Sequence, residues 1–462
     1  VETKSNQPKP NGEKLLRVLA VTLVFSVMNA SMFNVVLPVI SAEFNLTPSK
    51  VSWILTGYMI LYAIGSVTFG KLADKYRLKD LLTFGLIFFA LGSIVGLMAT
   101  EYWMIILGRV LQAAGASVIP ATAMIIPIRY FPPETRGRAL GTTAIGLALG
   151  AALGPIVSGV VTSVASWRFL FFLSVLPLIT LPFFRKYLDD DKGADTKIDY
   201  LGGGLLAGTV SILLLAITQG NLVLGAVGAV LLILFIWRIR TADEPFIQPA
   251  LFKNKSYTVG LIVAFLATSV SFGLPFITPQ FLAKVNQLPP ATIGLIMFPG
   301  AVAAAILGRQ GGRLADEKGN PFLIYMSATF IFVGFILLST FVGMSPYLIM
   351  VFLVLGSVGL TFMQIALSNT ISRQLTREQT GVGMGLFSML NFIAGATSTT
   401  LIGKMLDYHA PSFHLNPVPS NPNVFIYSNI FVVLAFMVLI VAALYRVQFG
   451  SASAKGKQPS KA

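Results

Sequence analysis

Gly70-Lys71-Leu72-Ala73-Asp74 and Gly312-Arg313-Leu314-Ala315-Asp316 are the two stretches that decide the architecture of this 462-residue chain. Four of their five positions are identical, and the second is basic in both. Each stretch follows one long apolar run and precedes another, so the two hold the same place in a repeated pattern. A string that recurs at a matched topological place points to internal duplication. Counting outward gives fourteen apolar runs, from Val18–Pro38 to Val424–Tyr445. The first stretch closes the second run and the other closes the tenth. Two six-helix halves then fit, provided that the seventh and eighth runs are an inserted pair.

The predicted fold is an all-α polytopic membrane protein with 14 transmembrane helices. Its divisions are a polar N-terminal tail at residues 1–14, a six-helix half at 15–187 and the inserted pair with its linkers at 188–256. A second six-helix half at 257–446 and a disordered tail at 447–462 complete the chain. Composition supports this independently. Hydrophobic residues make up 55% of the chain, charged residues 11%, and mean hydropathy is +0.79. A soluble domain carries about 25% charged residues, so a water-soluble enzyme is excluded. Blocks of apolar residues, rather than alternation, also exclude an outer-membrane barrel. No cysteine is present, which rules out disulfides, thiolate catalysis and cysteine-based zinc sites.

The net charge of +15 would suggest nucleic acid in a soluble protein. Here the basic residues lie between apolar runs, and their distribution orients the chain. With the N-terminus inside, 28 of the 33 Lys and Arg residues fall on one side. The other side keeps only Lys50, Arg168, Lys284 and Lys404. That asymmetry predicts cytoplasmic termini at both ends and no nucleic-acid partner. The polar start passes into the first run without a small-residue cleavage site, so that helix is expected to stay as an anchor. His409 and His414 share one polar segment, read as a solvated loop; no metal or cofactor is expected.

Arg109 is the one charged residue well inside a span, and Gln112 shares its helix face at i+3. An arginine at a helix centre costs on the order of 3 kcal/mol to insert, so it requires a partner or a water-filled path. It either contacts substrate and senses coupling, or braces a neighbouring helix through backbone carbonyls. Asn29, Gln364 and Asn391 are intramembrane amides that line a path or bond across helices. Gly146, Gly150, Gly154, Pro155 and Gly159 share the fifth span. Glycines four apart let another helix approach closely, as a moving interface or a static seam. A cytoplasmic gate is expected from Gly70, Asp74 and Lys75 with Arg136 and Arg138 of the next inside loop, and from the duplicates Gly312 and Asp316. Gly381-Val-Gly383-Met-Gly385 lacks the spacing of a nucleotide loop, and no Walker loop is present.

Together these motifs resemble the major facilitator superfamily, in its fourteen-helix drug:proton antiporter branch, and most nearly the tetracycline efflux proteins of Gram-positive bacteria. Gly70 to Lys79 is similar to the family's first inside-loop motif. Arg109 to Gly115 is similar to its fourth-helix motif, and Gly150 to Gly159 to its antiporter motif. Asn34-Val-Val-Leu-Pro38, Ser166-Trp167-Arg168-Phe169 and the run from Glu244 to Phe252 also match. The likeness covers about residues 15 to 446. It implies paired parallel halves, known for that superfamily, around a midplane site. It also implies proton-coupled export of hydrophobic small molecules across a bacterial cytoplasmic membrane, by a monomer.

The chain departs from the pattern in a consistent direction. Arg77 and Leu78 stand where the first motif usually has Gly and Arg. Asn29 stands where many relatives carry Asp, and Ala30 and Ala151 where the tetracycline exporters have Glu. None of the 18 acidic residues lies well inside a span. The residues therefore favour neutral, zwitterionic or anionic cargo over cations. A transporter or facilitator of a metabolite, siderophore or lipid intermediate, and a non-transporting receptor on the same fold, are the alternatives.

Overall fold

The structure, a computed structural model, describes residues 11–190, 199–408 and 413–450, without the side chains of residues 74, 133, 134, 137, 377 and 378. Among the described residues fourteen helices are long and apolar enough to cross a bilayer. We label them α1 Gly12–Glu43, α2 Pro48–Ala73, α3 Leu78–Leu97, α4 Tyr102–Tyr130, α5 Arg138–Val164, α6 Phe169–Tyr187 and α7 Tyr200–Gln219. The rest are α8 Leu222–Thr241, α9 Lys255–Lys284, α10 Pro290–Lys318, α11 Asn320–Phe341, α12 Pro346–Ser372, α13 Gln379–Asp407 and α14 Pro422–Gly450. At a rise of about 1.5 Å per residue, about twenty residues cross the hydrocarbon core, so the longer helices project beyond it.

Several boundaries have local causes. Asn254 caps α9 by accepting the Tyr257 N–H at 3.1 Å, and Thr376 with Gln379 forms a capping box before α13. The helix that contains α13 starts at Arg377, six residues ahead of the predicted span, because that box supplies a start signal stronger than hydropathy. Gly381, Gly383 and Gly385 are accordingly helical, not a loop. α6 is segmented, with a 3-10 stretch at Leu176–Thr180 that follows from Pro177 and Pro182. The last helix continues as a π-helical turn at Arg446–Gly450, and buried Phe449 holds it, so order runs past residue 446. Residues 451–462 of the expected tail, and His409, lie outside the described residues. His414 packs on the Phe425 ring with centroids 4.8 Å apart.

The chain divides into two compact units. The first holds Val1–Ile247 with Pro289–Phe298, and the second Gln248–Leu288 with Pro299–Ala462. In the first, α5 lies along α1 and α3 lies on α4. In the second, α13 lies along α9 and α11 on α12, the same pairings displaced by eight helices. This is the architecture that the repeated pentapeptide requires. The inserted pair belongs to the first unit. Gly220, at φ 64°, ends α7 in the left-handed region and Asn221 caps α8, which makes α7 and α8 a hairpin. Trp53 Nε1 on α2 donates to Thr218 Oγ1 on α7 at 3.0 Å and fixes the hairpin to the six-helix half. Phe84, Trp103, Trp237 and Tyr347 are exposed, as expected where lipid is the solvent.

Candidate functional site

Arg109 sits in the first unit at the meeting of five helices and is 1% exposed. Its Nη1 donates to Asn29 Oδ1 on α1 at 2.8 Å and to Gln112 Oε1 one turn on at 2.9 Å. Its Nε donates to the Ile54 carbonyl on α2 at 3.3 Å. The guanidinium lies between two aromatic faces, 4.2 Å from the Phe33 centroid and 4.1 Å from that of Tyr58. Desolvated cation–π contacts contribute about 2 kcal/mol each, comparable with the insertion cost of the arginine. The side chain therefore makes the brace that was one of its two expected roles, a bond to a backbone carbonyl of α2, and it also bonds two buried amides.

A second layer holds those residues. Gln112 Nε2 donates to Ser93 Oγ on α3 at 2.8 Å, and Ser93 Oγ donates to the Phe89 carbonyl at 2.8 Å. Asn29 Nδ2 donates to Ser174 Oγ on α6, and Ser174 Oγ donates to the Leu170 carbonyl at 2.8 Å. Each amide is thereby fixed with its oxygen towards the arginine. At this site two donors are buried without a partner among the described residues, Arg109 Nη2 and the Tyr58 hydroxyl. Tyr58 stacks on Tyr62 with centroids 5.6 Å apart. No described carboxylate bonds Arg109, so the site is cationic and can receive a hydrogen-bond acceptor or an anion.

The other predicted residues occupy separate places. Gln364 and Asn391 meet in the second unit through Thr268, whose Oγ1 donates to Asn391 Oδ1 at 2.9 Å and accepts from Gln364 Nε2 at 3.5 Å. Gln364 Oε1 is buried without a partner there. On α5, the residues Gly146, Gly150 and Gly154 face α1. A Cβ on Gly146 would stand 2.8 Å from the Ala20 carbonyl oxygen, and one on Gly150 2.5 Å from that of Val24. One on Gly154 would strike the Ser31 hydroxyl. Pro155 continues this helix, and Gly159 lies against Pro290 and Ala291 of the same unit.

At the expected gate, Arg138 pairs with Glu13, while Arg136 donates to the carbonyls of Phe131 and Ile128, both at 3.0 Å. The Asp74 side chain lies outside the described set. Lys75 ends a helix beside the Tyr76 ring, at 5.9 Å. Gly70 and Gly312 both have open space where a Cβ would stand. Asp316 is exposed, next to an Arg313–Glu317 pair at 2.5 Å.

Sequence reasoning missed Phe33, Tyr58, Ser93 and Ser174, which come from helices other than that of Arg109. Phe33 follows Asn29 at i+4, the signal that it shares a face with the amide. It also missed Glu43, which ties the far end of the unit. Glu43 accepts from Trp167 Nε1 at 2.6 Å and from Arg168 Nη2 at 2.7 Å, and Arg168 Nε donates to the Ala99 carbonyl at 2.7 Å.

Known proteins match both sequence and fold. The family model described as Major Facilitator Superfamily matches residues 19–399. The riboflavin transporter RibZ of Clostridioides difficile (strain 630) is 26% identical over 399 residues, covering 84% of this chain and 87% of its own. Multidrug resistance protein 3 of Bacillus subtilis (strain 168) is 28% identical over 338 residues, covering 70% and 65%. A peptide-bound POT family transporter has the same fold, with a TM-score of 0.72 at 12% identity and 97% of each chain covered. The chain belongs to the Major Facilitator Superfamily, as a multi-pass membrane transporter of small molecules and not an enzyme.

Proposed function

We propose that this transporter is a secondary active exporter of hydrophobic small molecules, tetracycline-like or multidrug in range, working by alternating access. It lies in a bacterial cytoplasmic membrane as a monomer, with both termini cytoplasmic and protons as the coupling ion. The observation that carries the reading is the buried, uncompensated charge of Arg109 with its partnerless Nη2. A cation without a counter-charge in a low-dielectric site favours ligands that bring an acceptor or a negative charge, and disfavours permanent cations.

In this reading Arg109 and Gln112 contact substrate, Asn29 and Ser174 aim the guanidinium, and Gln364 with Asn391 offers neutral contacts in the second unit. The glycine face of α5 is the surface that shifts against α1, and Asp74 and Asp316 latch the cytoplasmic side. With no carboxylate well inside a span, the proton carrier belongs among the carboxylates at helix ends, Asp74 foremost.

One relative's name favours a second reading, export or facilitated passage of a metabolite: riboflavin is a neutral, planar compound with carbonyl acceptors, and the chain spans 87% of that relative. Uptake into everted vesicles, compared for tetracycline, riboflavin and the permanent cation ethidium, tests both. We expect tetracycline or riboflavin to exceed ethidium. Preferential ethidium uptake would overturn the assignment of Arg109 as the substrate anchor. Uptake of riboflavin alone would select the metabolite reading.

A further inference from the structure

Two lysines of the Gly70–Lys79 segment are held by residues that flank the inserted helix pair. Lys71 Nζ donates to the Pro245 carbonyl at 3.1 Å and stands 6.0 Å from the centroid of the Phe246 ring. Phe246 is buried, and its N–H donates to Asp199 Oδ2 at 3.2 Å. Asp199 also caps α7 by accepting the Gly202 N–H at 3.0 Å, and its Oδ1 accepts from Arg238 Nε at the end of α8, again at 3.0 Å. The Phe246 ring seats on the first turn of α7, where a Cβ on Gly203 would stand 3.1 Å from it. One buried carboxylate thus joins the start of α7, the end of α8 and the loop that receives Lys71.

The other end of the linker is held more weakly. Lys79 pairs with Asp190 at 2.9 Å, but Asp190 is 66% exposed, and such surface pairs contribute little. The duplicate segment has a different arrangement. Arg313, in the place of Lys71, pairs with Glu317 on its own helix and is 80% exposed. The two copies of the pentapeptide are therefore not equivalent, and the difference coincides with the inserted pair.

We propose that Asp199 is a positioning residue for the Gly70–Lys79 segment: through Arg238 and Phe246 it fixes the loop that engages Lys71, so the inserted pair restrains that segment from opening. This goes beyond the export reading and needs no substrate to test. The absence of cysteine makes the 462-residue chain its own background for labelling. Gly70 and Gly312 both have open space for a side chain, so Gly70→Cys and Gly312→Cys are matched reporters on the two copies.

The measurement is the rate of maleimide labelling of each reporter in detergent-purified protein. Asp199→Ala should raise the Gly70→Cys rate about tenfold, the effect of releasing the one charge-assisted hydrogen bond that Lys71 makes to the Pro245 carbonyl. The Gly312→Cys rate should stay within about twofold, because local opening differs from general loosening. Asp199→Asn, which keeps one oxygen for the Gly202 N–H and Arg238 but loses the acceptor of the Phe246 N–H, should fall between. Lys71→Gln leaves the attachment of α7 to α8 intact and should reproduce the rise at Gly70→Cys, so it decides the matter if Asp199→Ala fails to fold. An unchanged Gly70→Cys rate in Lys71→Gln, or an equal rise at both reporters in Asp199→Ala, would overturn the proposal.

Discussion

Arg109 is the residue at which we propose that packing and recognition meet. Three hydrogen bonds and two aromatic faces hold it, while Nη2 is buried without a partner among the described residues, the donor we propose a ligand meets. Replacement by Ala strands the oxygens of Asn29 and Gln112, and we expect tetracycline uptake at normal expression to fall at least about tenfold. Arg109→Lys should not restore it, because an ammonium cannot reproduce the planar fork that reaches two amides and lies between two rings. Tyr58→Phe removes a buried hydroxyl that has no partner. Its thermal midpoint in detergent should rise, by about 1 kcal/mol of stability, while substrate affinity weakens; a lowered midpoint would show that the hydroxyl is satisfied in the native protein. The pairing of Arg109 with Gln112 is legible in the sequence because helical geometry alone brings i and i+3 together. The arrival of Tyr58, Ser93 and Ser174 depends on how separate helices pack, which local spacing does not encode.

Elements pack where glycines allow it. Gly150 faces the Val24 carbonyl so closely that an added methyl would displace backbone, whereas the nearest atom to Gly154 is the movable Ser31 hydroxyl, with the Ser31 Cβ at 2.9 Å and the Met32 N at 3.1 Å behind it. Gly150→Ala should therefore destabilise the protein in detergent melting by about 1–3 kcal/mol, the range for overpacking, and Gly154→Ala by less. Gly141→Ala, where nothing lies within 4 Å, should be neutral or slightly stabilising. The periodicity Gly146, Gly150, Gly154 showed that α5 carries a groove, but only the structure shows that α1 fills it.

The α7–α8 hairpin adds a pH dependence. Burial raises the Asp199 pKa, but the Gly202 and Phe246 N–H groups and Arg238 outweigh it, and the carboxyl titrates below its ordinary value. A lowered native pKa means that its contribution is complete above the unfolded value of about 3.9 and is lost as pH falls through the native one. Detergent melting should thus show Asp199 contributing equally at neutral and mildly acidic pH. The loss should come only below about pH 4, and Asp199→Asn should remove that part of the pH dependence.

Across the whole molecule, the pentapeptide repeat and the apolar runs made the two six-helix halves and the inserted pair readable, because hydrophobic length is the strongest constraint in a membrane. A second repeat reinforces the first: Arg129, Glu134, Gly137 and Gly141 recur with the same spacing as Arg373, Glu378, Gly381 and Gly385 after the matching helices. The attachment of the inserted pair was not readable, since it rests on Trp53, Asp199 and Phe246, which are far apart in the chain. Nor does a repeat specify cargo, since the repeated positions do not include Arg109 or its partners.

The most direct test of cargo and coupling together is tetracycline uptake by purified protein in proteoliposomes with an imposed pH gradient, for the unmodified chain and for Arg109→Ala. Uptake driven by the gradient and lost in Arg109→Ala is the expected result. Full transport by Arg109→Ala, or uptake indifferent to the gradient, would contradict it.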